Sequence, residues 1–160
     1  MLHWLKRYQP KAGANNLQRV KGWLEGAHYL TSLENYRLAY EVVQVQLGVT
    51  ASDDKPLHEL LGRWVYNAER LVLYESLLDK LPVEDEVALI DGIAHTHHSL
   101  GNYDEVLHWC DRYREALTQL ADPLTAQKAE GRLFGLMGIT HQAKGDYVQA
   151  VYAHERRLVI

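Results

Sequence analysis

The sequence predicts an all-α protein, and three observations lead to that prediction. Apolar residues recur at helical spacing along most of the chain, as in the segments 19–33 and 105–120. The four prolines, at positions 10, 56, 82 and 123, fall between such segments, where they are able to end helices. No segment shows the apolar–polar alternation that is typical of a half-buried strand.

Composition restricts the function as well as the fold class. The chain has 160 residues, of which 47% are hydrophobic and 24% charged, with a net charge of −4. An acidic balance argues against sequence-independent nucleic-acid binding, which needs a basic surface. No apolar run approaches the ~18 residues that cross a bilayer, and the N-terminus does not resemble a signal peptide. The single cysteine fits a reducing compartment, so we expect a cytoplasmic protein without nucleic-acid or membrane partners.

Two regions follow one another along the chain. Residues 1–16 are expected to form a leading helix, centred on 2–8, and a linker. Residues 17–160 are expected to hold about four helix pairs. The first helix of each pair has a small residue at an inner position, which lets its partner helix approach closely; these are Ala27, Gly62, Ala94 and Gly138.

The connections within the pairs repeat in sequence. "SLGNYDEV" (99–106) aligns with "AKGDYVQA" (143–150), and the two glycines are 44 residues apart. Glycine accepts a positive φ, and Asn or Asp is able to cap the next helix, so this pattern predicts a tight turn between helices. A third copy, "LENYRLA" (33–39), has Glu34 in place of the glycine. The second pair, 55–82, is degenerate: its turn is placed at Glu69, seven residues after Gly62.

These units resemble the tetratricopeptide repeat, whose signature is W-x2-L-G-x2-Y, then A-x3-F, then P. Residues 131–160 match it best, through Phe134, Met137, Gly138, His141, Ala150 and His154. The second pair has Tyr74 where the family has alanine. The longer third-to-fourth spacing is similar to that of kinesin light chains and bacterial signalling proteins. The resemblance implies a right-handed α-solenoid, a superhelix of antiparallel helix pairs in which first helices line a concave groove.

The resemblance also implies a function and a set of groove residues. Such grooves hold extended peptides or a partner's helix. We therefore expect a non-catalytic protein- or peptide-binding scaffold of a bacterial cytoplasm; the alternative is a peptide- or ligand-sensing domain of a larger regulator. Mapped onto this chain, the groove positions are Lys21, His28, Thr31, Arg63, Tyr66, Asn67, Asp91, His95, His98, Arg132, Ile139 and Gln142.

A metal site is a further, weaker alternative. Asp91, His95 and His98 are spaced i, i+4, i+7 and share one helix face, where carboxylate and imidazole groups are able to bind a divalent metal. Nothing in the sequence specifies another ligand, so no metal or other cofactor is predicted. Neither His-Glu pair continues as HExxH, and no G-x-S-x-G, P-loop or G-x-G-x-x-G motif is present. No enzymatic activity is predicted.

The last repeat ends in "HERRLVI", within its second helix. Solenoids normally finish with a polar capping helix, which this repeat is expected to lack. Leu158, Val159 and Ile160 would then form an exposed apolar end. Such an end fits either a part of a longer array or packing on another chain, and of these two we expect self-association.

Overall fold

The structure, a computed structural model, describes Leu5, Arg7, residues 11–48 and residues 54–160. Those ranges contain eight helices and one two-stranded ribbon, so the predicted all-α class is confirmed. The chain divides into two compact units, Met1–Lys80 and Leu81–Ile160. The predicted leading helix lies mostly outside the described residues. Among the described residues, no helix combines the length and the apolar character needed to cross a membrane.

The first unit contains two helix pairs and the ribbon. Its elements are α1 (Asn16–Ser32), α2 (Tyr36–Val43), β1 (Gln46–Gly48), β2 (Asp54–Pro56), α3 (Leu57–Arg63) and α4 (Asn67–Leu77). Helix α1 begins at a capping box, in which the Asn15 side chain accepts from the Gln18 N–H at 2.8 Å and Gln18 Oε1 accepts from the Asn15 N–H at 3.0 Å. Helix α1 packs on α2 and α4. It buries the apolar face that its periodicity predicted, at Val20, Trp23, Leu24, Ala27 and Leu30.

The ribbon departs from the prediction that the chain has no strand. Strands β1 and β2 pair antiparallel, with Gln46 opposite Pro56 and Gly48 opposite Asp54. Leu47 is buried, whereas Gln46 and Asp54 are exposed. Three residues per strand are too few for alternation to be recognised in a sequence.

The second unit contains two helix pairs. Its elements are α5 (Val83–Ser99), α6 (Tyr103–Leu117), α7 (Pro123–Lys144) and α8 (Tyr147–Leu158). Helix α7 packs on α6 and α5 as well as on its own partner α8. Three prolines lie at helix boundaries as predicted, and in each case the boundary is a helix start: Pro56 and Pro82 precede α3 and α5, and Pro123 opens α7. Pro10 lies outside the described residues.

All four helix pairs are joined by the same turn. Each turn has one residue with positive φ: Glu34 (55°), Val65 (65°), Gly101 (77°) and Gly145 (79°). In every case the N–H of the next residue donates to the carbonyl five residues earlier, over 2.8–3.0 Å. This is the Schellman motif. The prediction is therefore confirmed for the turns at Glu34, Gly101 and Gly145.

The turn at Val65 corrects the interpretation of the second helix pair. Glu69, the predicted turn residue, lies in the first turn of α4. Counted from Val65, the position equivalent to Ala94 and Gly138 is His58 rather than Gly62. The prediction failed because a β-branched residue at positive φ is uncommon, so valine gave no turn signal.

The corrected register also moves Tyr74 away from the family's alanine position: counted from Val65 it is equivalent to His154, and Arg70 is equivalent to Ala150. In the last pair, Gly138 faces His154 so closely that a Cβ at Gly138 would lie 2.7 Å from the ring Nδ1. In the second pair His58 occupies the glycine's place, and its Nδ1 lies 2.7 Å from the hydroxyl oxygen of Tyr74. Tyr74 is buried and also accepts from Arg70 Nε at 3.2 Å. The tyrosine is therefore a buried, hydrogen-bonded part of the first unit's core.

Gly62 nevertheless permits a close approach, in this case by the side chain of Arg70. A Cβ there would lie 2.7 Å from Nη1 of Arg70. The small residue predicted at Gly62 therefore makes room for the side chain that bonds Tyr74, one helical turn away from the repeated inner position.

Candidate functional site

Six of the twelve predicted site residues lie on two packed helices of the second unit. Their shared surface is named the α5–α7 face here, and its residues are Asp91, His95, His98, Arg132, Ile139 and Gln142. Because the turns at Gly101 and Gly145 are equivalent, His95 and Ile139 occupy the same position in their repeats. His95, Arg132, Ile139 and Gln142 are exposed. Asp91 and His98 are half-buried.

The α5 side of this face holds a carboxylate and an imidazole one helical turn apart. Asp91 Oδ1 lies 3.7 Å from His95 Nε2. The side chain of His95 is 45% exposed, so the pair contributes at most about 1 kcal/mol to stability even when His95 is protonated. The pair keeps the half-buried carboxylate of Asp91 beside the exposed imidazole of His95.

Beneath the face lies Tyr113 of α6, which is fully buried. Its hydroxyl has no hydrogen-bond partner among the described residues. Burial raises the pKa of this phenol, the Asp91 carboxylate raises it further, and the Arg132 guanidinium acts in the opposite direction. Tyr113 is therefore a neutral hydrogen-bond donor close to Asp91 on α5 and Arg132 on α7.

The buried hydroxyl gives a test of this part of the site. We expect Tyr113→Phe to leave the free energy of unfolding unchanged or to raise it by about 0.5–1 kcal/mol, because it removes an unbonded buried polar group. Tyr74→Phe is the matched control, since it removes a hydroxyl that makes two hydrogen bonds, and it should lose about 1–2 kcal/mol. Urea denaturation measures both. A loss above about 1 kcal/mol for Tyr113→Phe would contradict the expectation and reveal a bonded partner.

The lone cysteine lies next to this tyrosine. Cys110 is buried one helical turn before Tyr113 on α6. Burial, followed by the Asp111 carboxylate, raises the pKa of its thiol to about 12. The thiol is thus neutral at physiological pH and unsuited to nucleophilic chemistry.

The α7 side of the face continues into a basic cleft. Lys128, Arg132 and Arg157 line a cleft of about 370 Å³, together with Gln127, Gly131 and Ile160. Lys128 and Arg132 are spaced i, i+4, where like charges repel. Nη1 of Arg157 lies 3.3 Å from the position of a Cβ at Gly135, so the glycine lets this guanidinium lie against α7. In the described part of the chain, none of the three cations forms an ion pair with a carboxylate.

The remaining predicted residues lie in the first unit. Lys21 and His28 are exposed on α1, and the Thr31 hydroxyl donates to the Ala27 carbonyl at 2.9 Å. Arg63 is the exposed last residue of α3. Tyr66 lies in the turn.

The prediction that Asn67 lies at a groove position is wrong. It is the first residue of α4, a second helix, and only 6% of it is exposed. In the corrected register, the positions equivalent to Asp91, His95 and His98 are Lys55 of strand β2 and Glu59 and Gly62 of α3. Lys55 Nζ and Glu59 Oε2 lie 3.8 Å apart.

The metal-site alternative gains no support from the geometry. The His98 ring packs on Tyr103, with 5.5 Å between ring centroids, instead of joining Asp91 and His95. Over residues 11–48 and 54–160, no group of three His, Cys, Asp or Glu side chains is arranged to hold a metal ion.

Comparison with known proteins does not assign a family. No family model, curated protein or solved structure matches the chain. The function is therefore inferred from the chain's own residues.

The side chains of this site are able to form hydrogen bonds, ion pairs and apolar contacts with a ligand. The α5–α7 face has an acceptor at Asp91, an exposed apolar side chain at Ile139 and a cluster of cations around Arg132. Opposite charges on two packed helices, with an exposed apolar side chain on one of them, suit a segment that carries both polar and apolar groups.

Proposed function

We propose that the chain is a non-catalytic binding module, a tetratricopeptide-like α-solenoid whose α5–α7 face holds an extended peptide segment of another protein. One observation supports this proposal more strongly than the others. Three cations from two helices, Lys128, Arg132 and Arg157, line one cleft, and none of them forms an ion pair with a carboxylate among the described residues. Such a cluster is stabilised by an acidic group from outside.

The solenoid part of the proposal is supported by the repetition of local structure. Four helix pairs share one Schellman turn, and helix α7 packs on both helices of the preceding pair. Repeats of a solenoid likewise bury their apolar faces on their neighbours. Its first helices would then present equivalent positions on one surface, as His95 and Ile139 do.

The chemistry of the face defines the peptide. An Asp or Glu side chain suits the basic cleft, because a guanidinium is able to donate two parallel hydrogen bonds to a carboxylate. Ile139, 39% exposed, offers an apolar contact beside the cleft's cations. We therefore expect an extended peptide with an acidic residue near one end of the contact.

Selection from a random peptide library displayed on phage tests this proposal. Selected peptides should be enriched in Asp or Glu, and fluorescence anisotropy should give an affinity that weakens as NaCl is raised. Arg132→Glu should weaken binding at least about tenfold, because it replaces attraction by repulsion. Lys11→Glu is the matched control, since it makes the same charge change at an exposed lysine of the first unit and should leave the affinity unchanged.

A photo-crosslinking amino acid locates the contact. Placed at Ile139, it should capture the selected peptide; placed at Val72 of α4, which is 50% exposed, it should not. Peptides that bind Arg132→Glu as tightly as the original chain, or that crosslink only from Val72, would exclude the α5–α7 face as the site.

A further inference from the structure

Helix α7 has three interior glycines, and close packing explains two of them. A Cβ at Gly135 would lie 3.3 Å from Nη1 of Arg157, and a Cβ at Gly138 would overlap the His154 ring. At Gly131 the nearest atom outside its own helix, among the described residues, would be 4.0 Å away. Glycine inside a helix is less stable than alanine, because it loses more conformational freedom on folding. Packing between helices therefore gives no reason for glycine at position 131.

The position of Gly131 in the basic cleft supplies a reason. Gly131 lines this cleft of about 370 Å³ together with the three cations, Gln127 and Ile160. A Cβ on Gly131 would approach Ile160 Cγ2, which belongs to another lining residue. A larger side chain at position 131 would therefore occupy the space that the cations surround. The glycine keeps that space open.

We propose that the basic cleft holds a phosphoryl group carried by a side chain of the bound peptide, an inference that rests on the proposed function. A phosphorylated side chain has a charge of about −1.5 to −2 at pH 7 and three acceptor oxygens. A carboxylate has a single charge and two oxygens. Three cations thus match the phosphoryl group in both charge and number of oxygens, and Asp or Glu is the weaker ligand of the same cleft.

The carboxylate that senses the Lys128 charge is held at the start of α7. Asp122 Oδ2 accepts from the Thr125 N–H at 2.8 Å and from the Thr125 hydroxyl. These hydrogen bonds lower the pKa of Asp122, and the Lys128 charge adds a smaller contribution in the same direction. Asp122 therefore serves as the helix cap, and the cations of the cleft are left for a ligand.

Fluorescence anisotropy on the full chain tests the ligand class. One selected peptide is made with Asp, phosphoserine or Ser at the position of its acidic residue. The phosphoserine form should bind at least about tenfold more tightly than the Asp form, and the Ser form should bind most weakly. Equal affinities for phosphoserine and Asp would overturn the phosphoryl assignment and leave peptide binding established.

A small probe makes the test independent of any selected peptide. N-acetyl-phosphoserine amide should shift the NMR resonance of the Gly131 amide saturably, and N-acetyl-aspartate amide should shift it less at the same concentration. Absence of a shift at Gly131 with the phosphoserine probe would overturn the proposal. Inorganic phosphate that binds as tightly as the phosphoserine peptide would indicate a site for the free ion, which would overturn the assignment to a peptide side chain.

Gly131→Leu tests the role of the glycine without a change of charge. It should weaken binding of the phosphoserine peptide and probe at least about tenfold, because leucine fills the space among the cations. Ala143→Leu is the matched control, since it adds the same side chain at a small, exposed residue of α7 and should leave the affinity unchanged.

Gly131→Ala shows whether the glycine is needed for folding. Its Cβ has room, so the variant should unfold at a higher urea concentration than the original chain. Circular dichroism establishes that each variant is folded. Unchanged phosphoserine affinity in a folded Gly131→Leu chain would overturn the proposal.

Discussion

Tyr74→Ala is expected to lower the free energy of unfolding of the first unit by about 3–5 kcal/mol. Tyr74 is 2% exposed, so truncation leaves a cavity the size of an aromatic ring. It also removes the hydroxyl that contacts His58 Nδ1 at 2.7 Å and Arg70 Nε at 3.2 Å. Those two polar atoms would lose a hydrogen-bond partner in a mostly buried region, which lowers the free energy of unfolding further.

Denaturation in urea, followed by tryptophan fluorescence, measures this effect. Trp23 is buried in the first unit and reports its unfolding. Tyr29→Ala is the matched control, because Tyr29 is 60% exposed on α1 and its truncation should cost less than about 1 kcal/mol. Similar losses for the two variants would show that Tyr74 is not part of the core.

The extent to which this fold follows from sequence is clearest at the four turns. Glycine followed by Asn or Asp predicted the turns at Gly101 and Gly145, because positive φ favours glycine. The predicted side-chain cap forms only after Gly145, where Asp146 accepts from the Gln149 N–H, whereas Asn102 makes no capping hydrogen bond. The Glu34 turn was recognised by similarity to them. Val65 has the same conformation with no such residue, so its position is determined by tertiary packing on either side. That packing includes the hydrogen bond between His58 and Tyr74.

The candidate site likewise follows from the sequence only where its residues are neighbours on one helix. Asp91 and His95 were placed on one face by their spacing alone, since i and i+4 are neighbours on any helix. Lys128 has the same spacing from Arg132, which places two cations on one side of α7. Arg157 joins them from a different helix, and Tyr113 approaches from a third. Contacts of that kind depend on how helices pack, which local spacing does not specify.

Acid is expected to destabilise the first unit through His58. Burial, followed by the Arg70 charge, lowers the pKa of His58 from 6.5 to about 4, although Glu59 acts in the opposite direction. Its two ring nitrogens lie 2.7 Å from the Tyr74 hydroxyl oxygen and 3.2 Å from Gln44 Oε1. This environment accommodates a neutral imidazole and disfavours an imidazolium.

The lowered pKa of His58 determines in which direction stability changes with pH and over which pH range. Between pH 6.5 and 4 the unfolded chain binds a proton at His58 that the folded chain does not, so stability falls as pH falls. The loss begins near pH 6.5, reaches about 3 kcal/mol and levels off below about pH 4, where both states are protonated. Urea denaturation from pH 7.5 to 3.5 measures it, with His58→Gln as the matched variant. Because glutamine does not titrate, the stability difference between the two chains should shrink by that amount over this range; parallel pH profiles would show that the buried imidazole is not the titrating group.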